Sequence, residues 1–381
     1  MLTLTLHDAL REIPAQAWDA LHDQSNPLIC HAFLDGLERT GCLRPRWGWT
    51  PRHAALWYGD TLIAAAPAYL KDNSHGEFVF DHAWANAYAR HGLDYFPKWL
   101  VAVPYSPVPG PRLLARGSAA RAQLCRHMAE EAARRGWSSL HINFLPDHEA
   151  ADCPEGWLAR QDVQFHWRNP AAEGLEPWRT FDDFLAALTH KKRKNIRAER
   201  QRVACTGIRF DHVRGAEACE SDLADMHALY CAGFIEKGNS PALTLEFFHH
   251  LASRLPHALV LILARAGRET IAGALCLRGT DRLYGRYWGS RVELPGLHFE
   301  TCYYQGIELC LREGLHHFEP GAQGEHKLAR GFLPRTTHSR HWLTDLEFRD
   351  AIGRWCVQEV QATEQYRRSA LLHAPFRDPC Y

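Results

Sequence analysis

The sequence predicts an α/β protein made of two similar halves with mixed central sheets. Its length, its composition and an order of elements that occurs twice support this prediction. The chain has 381 residues, of which 46% are hydrophobic and 23% charged, as expected for a globular protein of about two domains. We place the domains at residues 1–172 and 173–381, because residues 169–177 are rich in Pro, Gly and Glu, as linkers are.

Alternating and helical hydrophobic patterns divide the first half into short elements. Gly59 and Asp60 lie between two apolar runs, as a hairpin turn requires. Ser118 is a good helix N-cap, and Gly136 ends that helix. The predicted elements are a strand at 2–6, helices at 15–22 and 31–40, strands at 54–58, 62–70 and 99–105, a helix at 118–135, a strand at 139–144, a short helix near 157 and a strand at 163–167.

The second half repeats this order. Gly267 forms the hairpin turn and Gly314 ends the helix before the last strand. Each half therefore holds a hairpin, a further strand, a helix and another strand, which predicts two acetyltransferase-like domains in tandem. The predicted elements are a strand at 208–213, helices at 221–236 and 245–255, strands at 259–264, 271–278 and 283–288, a helix at 299–313, a strand at 316–319 and a last helix at 346–368.

The overall charge and the cysteines exclude several classes of protein. Lys plus Arg equals Asp plus Glu at 44 each, so no global field favours nucleic acid or a membrane surface. The 12 cysteines include no CxxC pair, which favours reduced thiols over a zinc ribbon or a redox motif. The N-terminus lacks a signal-peptide pattern, and no apolar run reaches the ~20 residues that span a bilayer. We therefore expect a cytoplasmic protein without a membrane span.

A basic segment opens the second half, directly after an amphipathic helical stretch at 180–188. Its cations are opposed only by Glu199. Because Arg grips phosphate bidentately and Lys supplies mobile charge, the segment suits a polyphosphate or a nucleic-acid backbone. The alternative is a solvated helix face, the usual role of a charge run. The candidate donor-binding residues are Lys191, Lys192, Arg193, Lys194, Asn195 and Arg197.

The most chemically dense motif, at 318–334, follows the last apolar strand of the core. Its glycines permit close backbone approach to a ligand. Glu325 and His326 are the candidate catalytic bases, and Gly324, Lys327 and Arg330 are the candidate substrate-binding residues. The alternative is a surface turn in which Glu325 pairs with Lys327 or Arg330.

Histidine-rich stretches raise the question of a metal site. The HxxH stretch at 338–341 lacks the acidic residue of an HExxH site, and the pairs at 249–250 and 316–317 have no further ligands at a suitable spacing. We therefore predict no metal.

Four stretches together resemble a known family. They are 78–92 (FVFDHAWANAYARHG), 191–200 (KKRKNIRAER), 287–304 (YWGSRVELPGLHFETCYY) and 318–334 (FEPGAQGEHKLARGFLP). Over nearly the whole chain the sequence resembles bacterial predicted N-acyltransferases, which are grouped with the Fem-like peptidoglycan-biosynthesis proteins. The resemblance implies a tandem acetyltransferase-like fold. It also implies an N-acyltransferase that moves an acyl or aminoacyl group to an amine acceptor, with a cell-wall precursor as one candidate. Its co-substrate would be acyl-CoA or aminoacyl-tRNA, with no tightly bound cofactor and no DNA partner.

The sequence also departs from acetyl-CoA enzymes. These usually carry Arg/Gln-x-x-Gly-x-Gly/Ala at the turn into the pyrophosphate-binding helix. The nearest match begins at Arg286 (RYWGSR), a further candidate donor-binding residue, and lacks the last small residue. Residues 109–119 offer glycines but no such motif. No heptad-like segment predicts the helical arm of classical Fem proteins.

Three classes of function follow for these residues. In acyl transfer, Glu325 or His326 would take the amine proton, and Lys327 and Arg330 would stabilise the oxyanion. Donor phosphates would lie at a helix N-terminus near Ser118 or His298, or on the basic segment. The alternative is a non-catalytic module that binds RNA or a cell-wall precursor. A hydrolase ranks last, because the sequence has no G-x-S-x-G elbow.

Overall fold

The computed structural model describes residues 1–172, 174–322 and 324–377. The helices are α1 (Ala15–Asp19), α2 (His31–Arg39), α3 (His82–Arg90), α4 (Ser118–Arg134), α5 (Asp147–Asp152), α6 (Phe181–Ala187), α7 (His190–Ala204), α8 (Glu220–Glu236), α9 (Leu245–Arg254), α10 (Leu297–Phe299), α11 (Gln305–Glu313) and α12 (Leu346–Leu371). The strands are β1 (Leu2–His7), β2 (Thr50–Pro51), β3 (His53–Tyr58), β4 (Thr61–Ala66), β5 (Ala68–Lys71), β6 (Lys98–Val101), β7 (Leu114–Ala115), β8 (Ser139–Leu145), β9 (Leu158–Arg168), β10 (Arg209–Arg214), β11 (Leu259–Ala266), β12 (Glu269–Arg278), β13 (Arg282–Ser290), β14 (His317–Glu319) and β15 (Leu333–Leu343).

The chain divides into two compact units. Unit 1 holds residues 1–163 and 336–365, and unit 2 holds residues 164–335 with the described chain from Tyr366 to Arg377. The domain division predicted at residues 172 and 173 had a single boundary. In the structure the chain first crosses between units within β9, and residues 336–365 return to unit 1 because β15 pairs with β8. Glu173, in the predicted linker, lies outside the described residues.

Unit 1 contains two groups of paired strands. Strands β1, β3, β4 and β7 form an antiparallel sheet in that order, and β15, β8, β6, β5 and β2 pair in a second order. Within the second group β6 and β8 run parallel, from Trp99 opposite Leu140 to Val101 opposite Ile142. Helix α4 connects β7 to β8 and buries Leu124, Cys125, Met128 and Ala132 in the core shared with these strands.

Unit 2 repeats the arrangement with longer strands. Strands β10, β11, β12, β13, β14 and β9 pair in that order. Strands β13 and β14 run parallel, from Arg282 opposite His317 to Tyr284 opposite Glu319. Helices α10 and α11 lie between these two strands in the chain and are joined by a π-helical segment, Glu300–Tyr304. Each unit thus has the predicted hairpin, strand, helix and strand.

Two elements are absent from the sequence-based prediction, α3 and β15. On β15 the buried residues Thr337, Ser339 and His341 alternate with more exposed ones. The strand therefore has a buried face, but that face is polar, and a hydrophobic pattern cannot reveal it. The fold is a tandem of acetyltransferase-like domains, as predicted. None of the helices in the described ranges is both long and apolar enough to cross a membrane.

Candidate functional site

A cleft opens in unit 2 where the parallel strands β13 and β14 separate. Their pairing stops at Tyr284 and Glu319, where β14 ends, whereas β13 continues to Ser290. On its other edge β13 stays paired with β12 up to Ser290. Within the described part of the chain, no strand pairs with residues 286–290 on the β14 side. Free backbone N–H and C=O groups on this edge can therefore bind a ligand. We call this region the unit 2 cleft.

A cavity of about 630 Å³ lies at the end of β13. It is lined by the end of α8, including Lys237, and by residues 288–298, which lead into α10. Because α10, the π segment and α11 follow one another without a break from Leu297 to Glu313, their peptide dipoles add. The positive end of this helix lies at Leu297, beside the cavity, where it favours an anion.

The π-helical segment supplies several of the side chains near the cleft. Glu300, Tyr303 and Tyr304 are buried there. The wider π turn changes the direction of the side chains that follow it, and such turns often occur at functional sites. Burial raises the pKa of Tyr303, so this phenol stays protonated at neutral pH.

The candidate base His326 is held against this segment. Its Nε2 lies 2.8 Å from the Tyr303 hydroxyl, and its ring packs against Phe299 with centroids 5.5 Å apart. Burial lowers the pKa of His326, and the charges of Arg330 and Lys327 lower it further. The imidazole is therefore neutral at pH 7 and can accept a proton.

Lys327 is a buried cation whose side chain is 2% exposed. Its Nζ donates to the carbonyl of Gly321 at 2.5 Å. Burial lowers the pKa of Lys327 to about 8. Burial likewise lowers the pKa of nearby His298 to about 4, with further contributions from His326, Lys237, Lys327 and Arg330. Positive potential therefore converges on this part of unit 2.

Arg330 is engaged with protein groups. Its Nη2 donates to Glu199 Oε1 at 2.7 Å and its Nε to the Tyr304 hydroxyl at 3.1 Å. Its Nη1 donates to the carbonyl of His326 at 2.8 Å, and the guanidinium lies 3.5 Å from the centroid of the Phe299 ring. The sequence suggested Arg330 as an anion clamp, but here it fixes the backbone of His326.

Glu325 is exposed and accepts a hydrogen bond from the Tyr366 hydroxyl at 2.6 Å. It pairs with neither Lys327 nor Arg330, and it does not line the cavity beside Lys237. Gly324, the residue before it, has φ +113°, and an added Cβ would lie 2.3 Å from Cε1 of His326. Glycine is therefore needed here to place the imidazole. Gln323, in the same motif, lies outside the described residues.

The basic segment forms helix α7, which has two different sides. The side chains of Lys191, Lys194, Asn195 and Arg197 are exposed, while Lys192 and Arg193 are half-buried. Arg197 pairs with exposed Asp182 at 3.2 Å. Within the described ranges, the cations at 191–194 have no carboxylate within 4 Å. They leave a positively charged surface.

The inner side of α7 ties the helix to the π segment. Arg200 pairs with Glu300 at 3.0 Å and with Glu308 at 2.7 Å, and Glu199 accepts from Arg330 and Tyr304. The exposed cations of α7 thus stand on a helix that is fixed to the same framework as His326.

The stretch that begins at Arg286 lies in β13. Arg286 packs on its neighbour Tyr287 at 5.1 Å. A Cβ added to Gly289 would lie 2.0 Å from the carbonyl oxygen of Leu229 in α8. This glycine therefore permits close packing of α8 on β13, which explains it without a phosphate ligand.

Sequence reasoning missed Lys237 and Tyr303, which the fold brings to this region. Lys237 follows an ordinary helix end, and Tyr303 looks like a core aromatic residue. Neither belongs to a motif, so the sequence carried no signal for either.

Three side chains of unit 1 could offer ligands to a metal, namely Asp19, His22 and Cys30, whose ligand atoms lie within 4.8 Å of one another. Burial and the neighbouring charges of Asp19 and Asp23 raise the pKa of Cys30 to about 12. Metals bind the thiolate, so this is a poor ligand set. The absence of a metal stays a prediction.

Comparison with known proteins gives matches in sequence family and in fold. A family model described as peptidoglycan biosynthesis/recognition, FemAB-like, matches residues 9–378. No curated protein matches the chain. The C-terminal domain of a putative lysylphosphatidylglycerol synthetase from Agrobacterium fabrum superposes with a TM-score of 0.52 at 12% identity, covering 91% of this chain and 96% of that one.

Two further solved structures are similar. FemX has a TM-score of 0.52 at 11% identity, covering 90% of this chain and 98% of its own. A tandem GNAT protein from the clavulanic acid biosynthesis pathway has a TM-score of 0.43 at 12% identity, covering 91% of this chain and 99% of its own. At such identities the likeness is one of fold. The family model covers almost the entire sequence, and the chain therefore belongs to the FemAB-like family of peptidoglycan biosynthesis and recognition proteins.

Proposed function

We propose that unit 2 is an N-acyltransferase that moves an acyl or aminoacyl group from an activated donor to an amine. The observation that carries this proposal is the unit 2 cleft, with a neutral imidazole, His326, and a buried ammonium group, Lys327, in the segment that follows β14. Acyl transfer to an amine needs a base for the amine proton and positive charge for the oxyanion.

His326 is the better candidate for the base. When Nε2–H donates to the oxygen of Tyr303, Nδ1 carries the free lone pair. The amine nitrogen attacks the donor carbonyl and forms the new C–N bond, its proton passes to Nδ1 of His326, and the bond to the donor thiol or hydroxyl breaks. Tyr303 orients the ring, as the third member of a catalytic triad does. Exposed Glu325 stays outside this step.

Lys327 supplies the positive charge. With a pKa of about 8, its ammonium group is charged at neutral pH. The free N–H groups of β13 residues 286–290 offer further donors to a developing oxyanion. Arg330 acts indirectly, because its guanidinium holds the His326 carbonyl at 2.8 Å.

The donor is acyl-CoA or aminoacyl-tRNA. The cavity beside Lys237 and the N-terminus of α10 suits a pyrophosphate, and the exposed cations of α7 suit an RNA backbone. The family description favours a cell-wall-precursor amine as the acceptor. The donor acts as a co-substrate, with no tightly bound cofactor.

A transfer assay with both radiolabelled donors tests the proposal. The chain is incubated with acyl-CoA or aminoacyl-tRNA and a panel of amines, and amide product is measured. We expect product with one donor class. Binding of RNA or a cell-wall precursor without turnover of either donor would instead support the non-catalytic binding module.

A charge variant separates the two donors. Lys192→Ala/Arg193→Ala/Lys194→Ala should weaken tRNA affinity and lower its salt dependence, because fewer counterions are released. The matched control removes three exposed cations of α4 in unit 1, Arg126→Ala/Arg134→Ala/Arg135→Ala. Equal salt dependence in all three proteins would return the α7 cations to a solvated face.

A further inference from the structure

Unit 1 contains a cavity that the proposed function does not use. Its volume is about 250 Å³, slightly below the roughly 300–1,000 Å³ of sites for drug-sized ligands. The wall residues that matter here are Phe80, Phe144, Arg160, Asp162, Ser339 and Glu359. We call it the unit 1 cavity.

One ion pair in this wall is rigid and neutral. Glu359 accepts from Nη2 and Nε of Arg160 at 2.6 and 2.7 Å. The guanidinium lies between the rings of Trp84 and Trp355, at 5.1 and 5.2 Å from their centroids. A bidentate, ring-clasped pair keeps its geometry. The two charges cancel, so neither determines the net charge of the cavity.

Ser339 begins a hydrogen-bond chain that runs from the cavity wall into the core. Its Oγ lies 2.8 Å from His341 Nε2, and His341 Nδ1 lies 2.7 Å from His141 Nδ1. His141 Nε2 is 3.2 Å from the Tyr95 hydroxyl, which donates to Asp81 at 2.6 Å. Burial lowers the pKa of His141 to about 3, so this imidazole is neutral.

The carboxylate at the far end fixes the direction of this chain. Asp81 only accepts, so Tyr95 donates to it and accepts from His141 Nε2–H. His141 Nδ1 then accepts from His341, and His341 Nε2 accepts the proton of Ser339. This tautomer assignment follows from the network, as such assignments must. It leaves the Ser339 oxygen with lone pairs and no proton for a ligand.

The other polar groups of the cavity are acceptors as well. The hydroxyls of Thr337 and Thr363 donate to the carbonyls of Asp162 and Gln161, each at 3.4 Å. The Asp162 carboxylate accepts from the N–H of Val163 at 2.7 Å. No cation of the described chain lies within 4 Å of it. The unit 1 cavity therefore offers several acceptors and one uncompensated negative charge.

The backbone beside the cavity is strained. Phe144 has φ +62° and Phe78 has φ +61°, a conformation that non-glycine residues rarely adopt. Phe144 lies where the pairing of β8 with β15 changes register, between His338 and Ser339. Bulges and strained residues gather at ligand sites, where they direct side chains.

We propose that the unit 1 cavity binds the primary ammonium group of a small molecule. Its three N–H donors match the acceptors Asp162, Ser339 and Thr337, and its charge balances that of Asp162. The rings of Phe80 and Phe144 contact the carbon chain of the ligand. This site is separate from the unit 2 cleft and does not depend on the proposed function.

Titration of the full chain at pH 7 with n-butylammonium chloride, and with its neutral isostere 1-butanol, tests this site by ligand-observed NMR or calorimetry. We expect saturable binding of the amine and none of the alcohol. Asp162→Asn should weaken amine binding about 10- to 100-fold, the value of a charged hydrogen bond. The control Asp60→Asn, in the exposed β3–β4 turn, should bind as the wild type does.

Three outcomes would overturn the proposal. They are no saturable binding of n-butylammonium by the folded chain, equal binding of 1-butanol, and unchanged affinity in Asp162→Asn. Thermal unfolding of each variant establishes that the chain is folded. Asp162 has no ion-pair partner among the described residues, so its substitution should leave stability nearly unchanged.

Discussion

The two units separate a parallel strand pair in different ways. In unit 1 the pairing of β6 with β8 ends at Val101 and Ile142, and residues 102–117 follow β6. The N–H of Gly110 donates to the carbonyl of Phe144 at 3.0 Å, and buried Arg112 donates to carbonyls of this same segment. In unit 2 residues 286–290 of β13 pair with no strand on the β14 side, within the described ranges.

The difference teaches that one topology can be filled or open depending on a single connection. A long Pro- and Gly-containing segment satisfies the strand edge of unit 1 with its own backbone. The short connection 291–296 of unit 2 leaves the edge free and leads directly into α10. A duplicated fold can thus keep ligand chemistry in one copy and close the same place in the other.

Charge is also used differently in the two units. Lys71 and Lys98 of unit 1 are fully buried beside Glu77 and Asp81. The cations at 191–194 of unit 2 have no such partners in the described chain. Buried pairs are costly to break, whereas exposed cations are free to bind.

The largest expected effect is on turnover. His326→Ala should lower the transfer rate about 10²–10⁴-fold, because the amine loses its general base. Glu325→Gln should leave turnover nearly unchanged, since Glu325 is exposed and hydrogen-bonded to Tyr366. Steady-state kinetics of both variants provide the measurement. A loss in Glu325→Gln with full activity in His326→Ala would exchange the two roles.

The next effect concerns the buried charges of unit 1. Lys98→Met should lower the free energy of unfolding by about 3–5 kcal/mol, because it leaves buried carboxylates without a cation. Lys98 Nζ donates to Glu77 at 2.8 Å and to Ser74 at 3.1 Å. The control Lys194→Met, on the exposed side of α7, should change stability by less than about 0.5 kcal/mol. Urea unfolding compares them, and equal values would refute the contrast between the units.

A smaller effect is expected in the pH dependence of transfer. The Lys327 ammonium is charged below its pKa of about 8, so activity should fall about tenfold for each pH unit above it. Lys327→Arg keeps its charge and should remove this alkaline limb. On the acid side, activity should be lost as His326 becomes protonated, at a pH below the usual 6.5. The same alkaline limb in wild type and Lys327→Arg would exclude Lys327 from the step.

The smallest effect is expected for the exposed ion pair between Arg197 and Asp182. Its side chains are 60% and 82% exposed, so Arg197→Ala should change the free energy of unfolding by less than about 1 kcal/mol. Chemical denaturation measures this value. A cost like that of Lys98→Met would show that α7 is held by its outer charges.

Hydrophobic periodicity was sufficient to predict most of the fold. The paired hairpins, the helix α4 and the strand β8 have apolar faces that bury into one core. Strand β15 escaped prediction because its buried residues Thr337, Ser339 and His341 are polar. The return of the chain to unit 1 therefore could not be foreseen.

The candidate site was predictable as a motif but not as a geometry. The residues at 325–330 were identified from their chemistry. Whether Arg330 faces a ligand or the protein depends on Glu199, which lies 131 residues away in the chain. A contact between distant segments leaves no local pattern in a sequence. Lys237 reaches the cavity in the same way, from the end of α8.

Hydrogen–deuterium exchange of the full chain, with and without a bound donor, tests most directly whether the unit 2 cleft is the working site. CoA and tRNA serve as the two donor probes. The account predicts slower exchange in residues 286–298 and 320–330, except Gln323, on binding of the productive donor, with residues 98–112 and 139–145 of unit 1 unchanged. Protection confined to the unit 1 segments would contradict it, because the filled copy of the strand pair would then be the one that binds.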